Sequence, residues 1–306
     1  MLEINSRIDF EVSARGWCYL LEEYGLLKGD FDAAERLINE CRKNGSLPLN
    51  ICAEDVSRQP SNLEHLDESD PEARAANIFE YVKEAHLYYE PFSFWEDQDV
   101  YIEMAVEKVD LKSLFDPICE RFCIPLQNIK GWADINGRAG MMKRFAKWER
   151  RGKRCILLLC GDHDPGGLQI STNMRSNLGD LSRAVDWEPD RLEIERFGLN
   201  EDFIEANGLT WIENLVTGSG GRLDDPRHPD HHKPYVQNYI DQFGVRKVEA
   251  NALVVRPAAG RQLCLDTILK YLPEEAPDDY QDRLEEPREQ LREHLLALFT
   301  EEFGGA

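Results

Sequence analysis

The sequence predicts an α/β protein: a largely parallel sheet, preceded by a small helical unit of winged-helix type. Three observations carry that expectation. Two apolar runs, 100–107 and 154–160, have strand length and each leads into acidic residues. Helical patterns over 111–122, 138–151 and 166–178 alternate with these runs and with a third strand pattern over 191–196, as βαβ units do. Ahead of them, the first fifty residues hold two amphipathic helical patterns and then a short extended segment.

The N-terminal elements justify themselves one by one. Ser13 to Leu27 (SARGWCYLLEEYGLL) reads as an amphipathic helix with Ser13 as N-cap and Gly25 near its end. A second helix runs from Phe31 to Arg42 and closes at the Lys43-Asn44-Gly45 turn. Ser46 to Ile51 (SLPLNI) then reads as short and extended. Helix, helix, short strand is the skeleton of a winged-helix unit, in which one helix reads a DNA groove; a generic helical lobe fits the same pattern. The polar stretch Gln59 to Glu72, with two prolines and a cluster of acids, marks a domain boundary. The expected organisation is therefore 1–65, 66–275 and 276–306. A helix is expected over 71–89, and the acidic segment from Pro273 to Phe303 reads as an amphipathic helix that docks on the body or on a dimer partner.

Composition limits the function classes. The chain has 306 residues, 42% of them hydrophobic, enough for a real core and about two domains. No apolar run is long enough to span a membrane, and Met1 to Phe10 lacks the basic and apolar regions of a signal peptide. A soluble cytoplasmic, nucleoid-associated protein without a membrane partner is expected. The eight cysteines are scattered, Cys119 and Cys123 forming the one close pair, and match no zinc ribbon or thioredoxin motif, so reduced thiols are expected. The net charge of −22 argues against a surface that coats nucleic acid broadly. Contact with DNA must be local, or bridged by metal ions.

The chemistry concentrates where strands end. In a parallel sheet ligands bind at the carboxyl ends of the strands, where Glu107 and the pair Asp162 and Asp164 of CGDHDPGG fall. Three carboxylates brought together repel one another unless a cation holds them, and hard oxygen ligands suit Mg²⁺. Each acid also has a plainer use. Asp164 before Pro165 is a good helix cap, Asp162 ends a strand, and Glu107 has Lys108 beside it. A Walker-type ATPase is disfavoured because no GxxxxGK[ST] loop occurs.

Glu107-Lys108 after a strand, KGWADINGRAGMMKRF (130–145), LLCGDHDPGG, ERFGLNEDFIEANGL (195–209) and EANAL (249–253) follow in an order that resembles the Toprim fold of topoisomerase VI A subunits and the related meiotic double-strand-break transesterases. At this length the chain looks most like their compact, single-gene "mini-A" relatives. The resemblance implies a winged-helix domain followed by a Toprim domain, with Mg²⁺ on Glu107, Asp162 and Asp164. It also implies a nucleophilic tyrosine in the N-terminal domain, four residues after an arginine. The matching stretch is Arg15-Gly-Trp-Cys-Tyr19, with Gly16 where the family has an acid and Cys18 where it has the first of two tyrosines. Residues i and i+4 share a helix face, so Arg15 and Tyr19 are placed to meet one phosphate.

The implied activity is metal-assisted transesterification of double-stranded DNA, leaving a 5′-phosphotyrosyl link, by a homodimer with any ATPase supplied as a separate subunit. The alternatives are a Toprim nuclease that cuts with metal-activated water, and a non-catalytic DNA-binding subunit of a defence or plasmid-limiting complex. One further stretch, RLDDPRHPDHHKPY (222–235), carries His228, His231 and His232. Its histidines invite a zinc reading, while its prolines and dense charge fit a solvated or DNA-facing loop.

Overall fold

The computed structural model describes residues 1–53, 70–129, 134–217 and 220–303. In chain order the regular elements begin with helices α1 (Leu2–Asn5), α2 (Ala14–Glu22), α3 (Phe31–Lys43) and α4 (Pro71–Glu84). Then come β1 (Val100–Val106), α5 (Val109–Arg121), β2 (Leu126–Asn128), α6 (Ile135–Glu149) and β3 (Arg154–Cys160). The helices α7 (Pro165–Leu168), α8 (Ile170–Gly179) and α9 (Ser182–Val185) lead to β4 (Glu193–Gly198) and α10 (Glu201–Ala206). The chain ends on α11 (Pro234–Phe243), α12 (Pro257–Ile268) and α13 (Ala276–Phe303).

These elements form two compact units, Met1–Glu54 with Asp99–Tyr271, and Asp55–Gln98 with Leu272–Ala306. The division differs from the expected 1–65, 66–275 and 276–306, because the N-terminal helices cluster with the sheet. The expected boundary at Gln59 to Glu72 falls mostly outside the described residues.

The first unit is built on a four-stranded, all-parallel sheet in the order β2-β1-β3-β4. β1 and β3 pair along their whole length, from Val100↔Arg154 to Val106↔Cys160. Every residue of β1 is buried, as is β3 beyond Arg154, which is why both read as unbroken apolar runs. The connection from β1 leaves toward β2, and the connection from β2 returns past β1 to β3. Right-handed crossovers in opposite directions put α5 on one face of the sheet and α6 on the other. α5 packs beside α12, and α6 beside α8. The chain therefore reverses direction between β1 and β3, and their carboxyl ends open a crevice. One charge lies inside the sheet: Glu103 of β1 is 1% exposed, gripped at 2.8 Å on both oxygens by Arg144 of α6 and at 2.8 Å by the Tyr101 hydroxyl.

Several expectations need correction. Ser46 to Ile51 is not a strand: Leu49–Ile51 is a 3-10 turn, and among the described residues no strand precedes Val100. No strand of the described chain lies there to pair with it, and the Trp17 indole instead donates to the Ile51 carbonyl at 2.6 Å. The expected helix 166–178 is interrupted at Gln169, giving α7 and α8, and the strand expected over 191–196 is Glu193–Gly198. The helix expected over 71–89 ends at Glu84 and continues as a 3-10 turn, Ala85–Tyr88.

In the second unit, Tyr280 of α13 donates to the Phe92 carbonyl at 3.1 Å and meets the Phe94 ring edge-on at 5.6 Å. Among the described residues, no helix is long and apolar enough to cross a membrane.

Candidate functional site

The crevice at the ends of β1 and β3 collects the acids the sequence singled out. Glu107 follows β1 directly, and its Oε2 accepts from the Asp162 backbone N–H at 3.0 Å. Gly161 makes this approach feasible, since a Cβ there would stand 2.9 Å from Glu107 Oε2. Asp162 is 8% exposed; its Oδ1 accepts from the Ala250 N–H at 2.7 Å and its Oδ2 from Lys108 Nζ at 2.8 Å. Asp164 caps α7, accepting from the Gly167 N–H at 2.6 Å with Pro165 in the first turn. The tight turn admits only glycine at 167, where a Cβ would fall 1.9 Å from the Asp162 carbonyl oxygen.

Three neighbours hold this loop. Arg196 of β4 donates to the carbonyls of Asp162 and Gly167, both at 3.0 Å. His163 and Val248 exchange backbone hydrogen bonds of 2.8 and 3.0 Å, and Ile212 and Lys247 pair beside them. These bridges bring the 247–250 segment alongside Asp162. The buried Asp110 carboxylate ties α2 to α5, accepting from the Ser13 hydroxyl at 2.7 Å and from the Ser13 N–H and Asn251 amide.

Arg15 and Tyr19, which the sequence singled out, both lie on α2. Ser13 caps this helix, accepting from the Gly16 N–H at 3.1 Å. Arg15 forks onto Glu249, Nε to Oε2 at 3.0 Å and Nη2 to Oε1 at 3.2 Å, and its Nη1 reaches Glu35 at 3.0 Å and Asp32 at 3.4 Å. Tyr19 is fully buried, its ring edge-on to Phe31 at 5.0 Å and beneath Lys28 Nζ at 4.3 Å; its hydroxyl donates to Glu249 Oε2 at 3.0 Å. The glycine at 16 has a steric reason: a Cβ would lie 2.8 Å from Val12 Cγ1 and 3.0 Å from Asp110 Oδ2. The Cys18 side chain is buried in the core.

Part of this set lines one cavity of about 690 Å³. Its acidic lining includes Glu107, Asp162, Asp164 and Glu249, and its cations are Arg15, Lys28, Lys108 and Lys247. Of the five expected site residues, Arg15, Glu107, Asp162 and Asp164 line the cavity. Tyr19 does not; its hydroxyl is one hydrogen bond away, behind Glu249. Lys28, Lys108, Lys247 and Arg196 complete the arrangement. Lys108 was visible as Glu107's neighbour, whereas lone basic residues far apart in sequence carry no motif.

The electrostatics follow from burial. Burial pushes Glu107 above its ordinary value, and the charge of Asp162 adds to it. Asp162 is raised by burial and by Asp164 despite Lys108, and Asp164 is raised by burial and by Glu107. Burial alone would lower the Lys108 ammonium, but Asp162 and Glu107 outweigh it and raise it. Tyr19 is pushed well up by burial and by Glu249, which favours the neutral phenol. Glu249 itself, which burial would raise, is held below its ordinary value by Arg15 and Lys247.

Among the described residues, no three His, Cys, Asp or Glu side chains are gathered closely enough to hold a metal as they stand. The donor chemistry nevertheless suits a hard cation. Three desolvated carboxylates with raised pKa values lie here, and two of them share one ammonium, Lys108, at 2.8 Å from Asp162 and 3.7 Å from Glu107. The 222–235 loop satisfies itself locally: Arg222 pairs with Asp224 at 2.7 Å, Arg227 with Asp225 at 2.6 Å, and His231 Nδ1 meets the Leu223 carbonyl at 2.8 Å.

No family model, no curated protein and no solved structure matches the chain.

Proposed function

We propose that this protein cleaves double-stranded DNA by metal-assisted transesterification, in the manner of the topoisomerase VI A subunits whose Toprim and winged-helix motifs its sequence resembles. The observation that carries the reading is convergence. Arg15 of α2 lines one cavity with the acids at the ends of β1 and β3, and Tyr19 of the same helix is joined to that cavity through Glu249, although these residues are far apart in sequence.

In this reading Tyr19 attacks a backbone phosphorus and gives up its proton to water. The 3′ oxygen leaves and takes up a proton, and the 5′ phosphate stays joined to the phenol oxygen. Arg15 stabilises the phenolate and the phosphate oxygens, and cannot serve as the base. Glu107, Asp162 and Asp164 would hold Mg²⁺, which when bound would supply neutralising charge at the phosphate. Lys108, now 2.8 Å from Asp162, would give up that contact to a bound cation. Double-stranded DNA as substrate, a homodimer and a separate ATPase subunit belong to the same proposal.

A second reading, a nuclease using metal-activated water, is favoured by the complete burial of Tyr19. Both readings need the acids. Replacing Asp162 and Asp164 with Asn is expected to abolish Mg²⁺-dependent cleavage of plasmid DNA in a chain that still unfolds cooperatively. Cleavage at the parental rate by the folded double variant would remove both readings.

A further inference from the structure

Glu249 stands between the Tyr19 hydroxyl and the cavity, and it collects an unusual set of partners for one carboxylate. Arg15 forks onto both its oxygens at 3.0 and 3.2 Å, the Tyr19 hydroxyl donates to it at 3.0 Å, and Lys247 Nζ lies 3.8 Å away. Forked arginine with added donors is the geometry that recognises a carboxylate or a phosphate equally well. The same cavity carries Lys28 and Lys108, so further cations lie near the one that Arg15 presents.

We infer that Arg15, Lys247 and the Tyr19 hydroxyl form a phosphodiester subsite, and that Glu249 plugs it in the free protein as an internal stand-in for the phosphate. An incoming DNA phosphate displaces the carboxylate, takes over the Arg15 fork, and leaves the Tyr19 hydroxyl facing phosphorus in place of Glu249. The plug explains how a phenol buried in the free chain becomes available only when substrate is present. It also screens the site from other anions. The inference rests on the cleavage reading for its substrate class, but its test needs no cleavage.

The test is the affinity of the full chain for a short fluorescent DNA duplex in EDTA, read by anisotropy. Glu249→Gln keeps the shape and removes the competing charge, so it is expected to tighten binding about tenfold at low salt. Arg15→Gln is expected to weaken binding, and the gain from Glu249→Gln is expected to vanish in the Arg15→Gln background, because it acts through that fork. Unchanged or weaker binding by folded Glu249→Gln overturns the inference. Should that variant fail to fold, Lys247→Met replaces it: several-fold weaker binding supports the subsite, and parental affinity overturns it. Tightened binding in a chain that cuts no DNA keeps the subsite and removes the cleavage reading. Retained cutting with an unaltered Glu249→Gln affinity does the opposite.

Discussion

Lys108 is the cation that the carboxylate crevice uses in the absence of any other, and removing it measures how strongly that crevice demands positive charge. Lys108→Met keeps the aliphatic stem and deletes the ammonium that sits 2.8 Å from Asp162 and 3.7 Å from Glu107. The three side chains are 23%, 11% and 31% exposed, so the pair is mostly but not wholly withdrawn from water. Removing one partner of a buried pair costs about 3–5 kcal/mol, and partial solvent access brings the expected loss to about 2–4 kcal/mol. For a chain of this size that corresponds to a Tm lowered by roughly 3–6 °C. Thermal unfolding followed by circular dichroism, in EDTA and in millimolar Mg²⁺, reads both halves of the argument. In EDTA the variant is expected to melt well below the parent; Mg²⁺ is expected to raise the variant's Tm more than the parent's, because the cation meets carboxylates that have lost their ammonium. A variant that melts with the parent in EDTA, or that gains no more from Mg²⁺, refutes the reasoning.

Three other outcomes are expected. Arg15→Met removes the fork on Glu249 and costs about 2 kcal/mol near pH 7. Because Glu249 is held below its ordinary 4.5 in the folded chain, the pair's contribution is complete above that value and is lost as pH falls through the folded pKa. Melting curves of parent and variant are therefore expected to converge as the pH falls below the ordinary carboxylate value and through the folded pKa, and a gap independent of pH contradicts the pairing. Gly167→Ala drives a Cβ into the Asp162 carbonyl and is expected to destabilise by about 3 kcal/mol or more, whereas a parental Tm would show that the turn relaxes freely. A two-fold dimer is expected by sedimentation with DNA, and mixing Tyr19→Phe with Asp162→Asn chains is expected to restore nicking of one strand; monomers alone, with and without DNA, contradict this.

How much of this was legible in the sequence varies with the physics of each element. β1 and β3 were readable because each is buried on both faces and so is continuously apolar, and Glu107, Asp162 and Asp164 were found as acids just beyond them. β2 was not, because it is three residues long and ends in Gln127 and Asn128. Leu47, Leu49 and Ile51 imitate the alternation of a strand, yet Leu49 is exposed and the segment turns instead. The Arg15 and Tyr19 pairing on one helix face was legible; the burial of Tyr19 was not, since it depends on Phe31, Lys28 and Glu249. Lys247 and Glu249 reach the site through the bridges that fold the 212–217 and 247–250 segments against the 162–164 loop, and Lys28 reaches it from the turn before α3. Glu249 opens the EANAL segment, but no local pattern assigns its partners.

The identity of the attacking oxygen is decided by the DNA ends. The purified chain is incubated with supercoiled plasmid and Mg²⁺, stopped with detergent, and the 5′ ends are assayed for covalently attached protein before and after protease. The transesterase reading predicts 5′ ends blocked by protein in the parent, and no cleavage by Tyr19→Phe, whose cost in stability is only about 1–2 kcal/mol from the lost hydrogen bond to Glu249. Free 5′ ends, produced equally by the parent and by Tyr19→Phe, would contradict it and assign the chemistry to water.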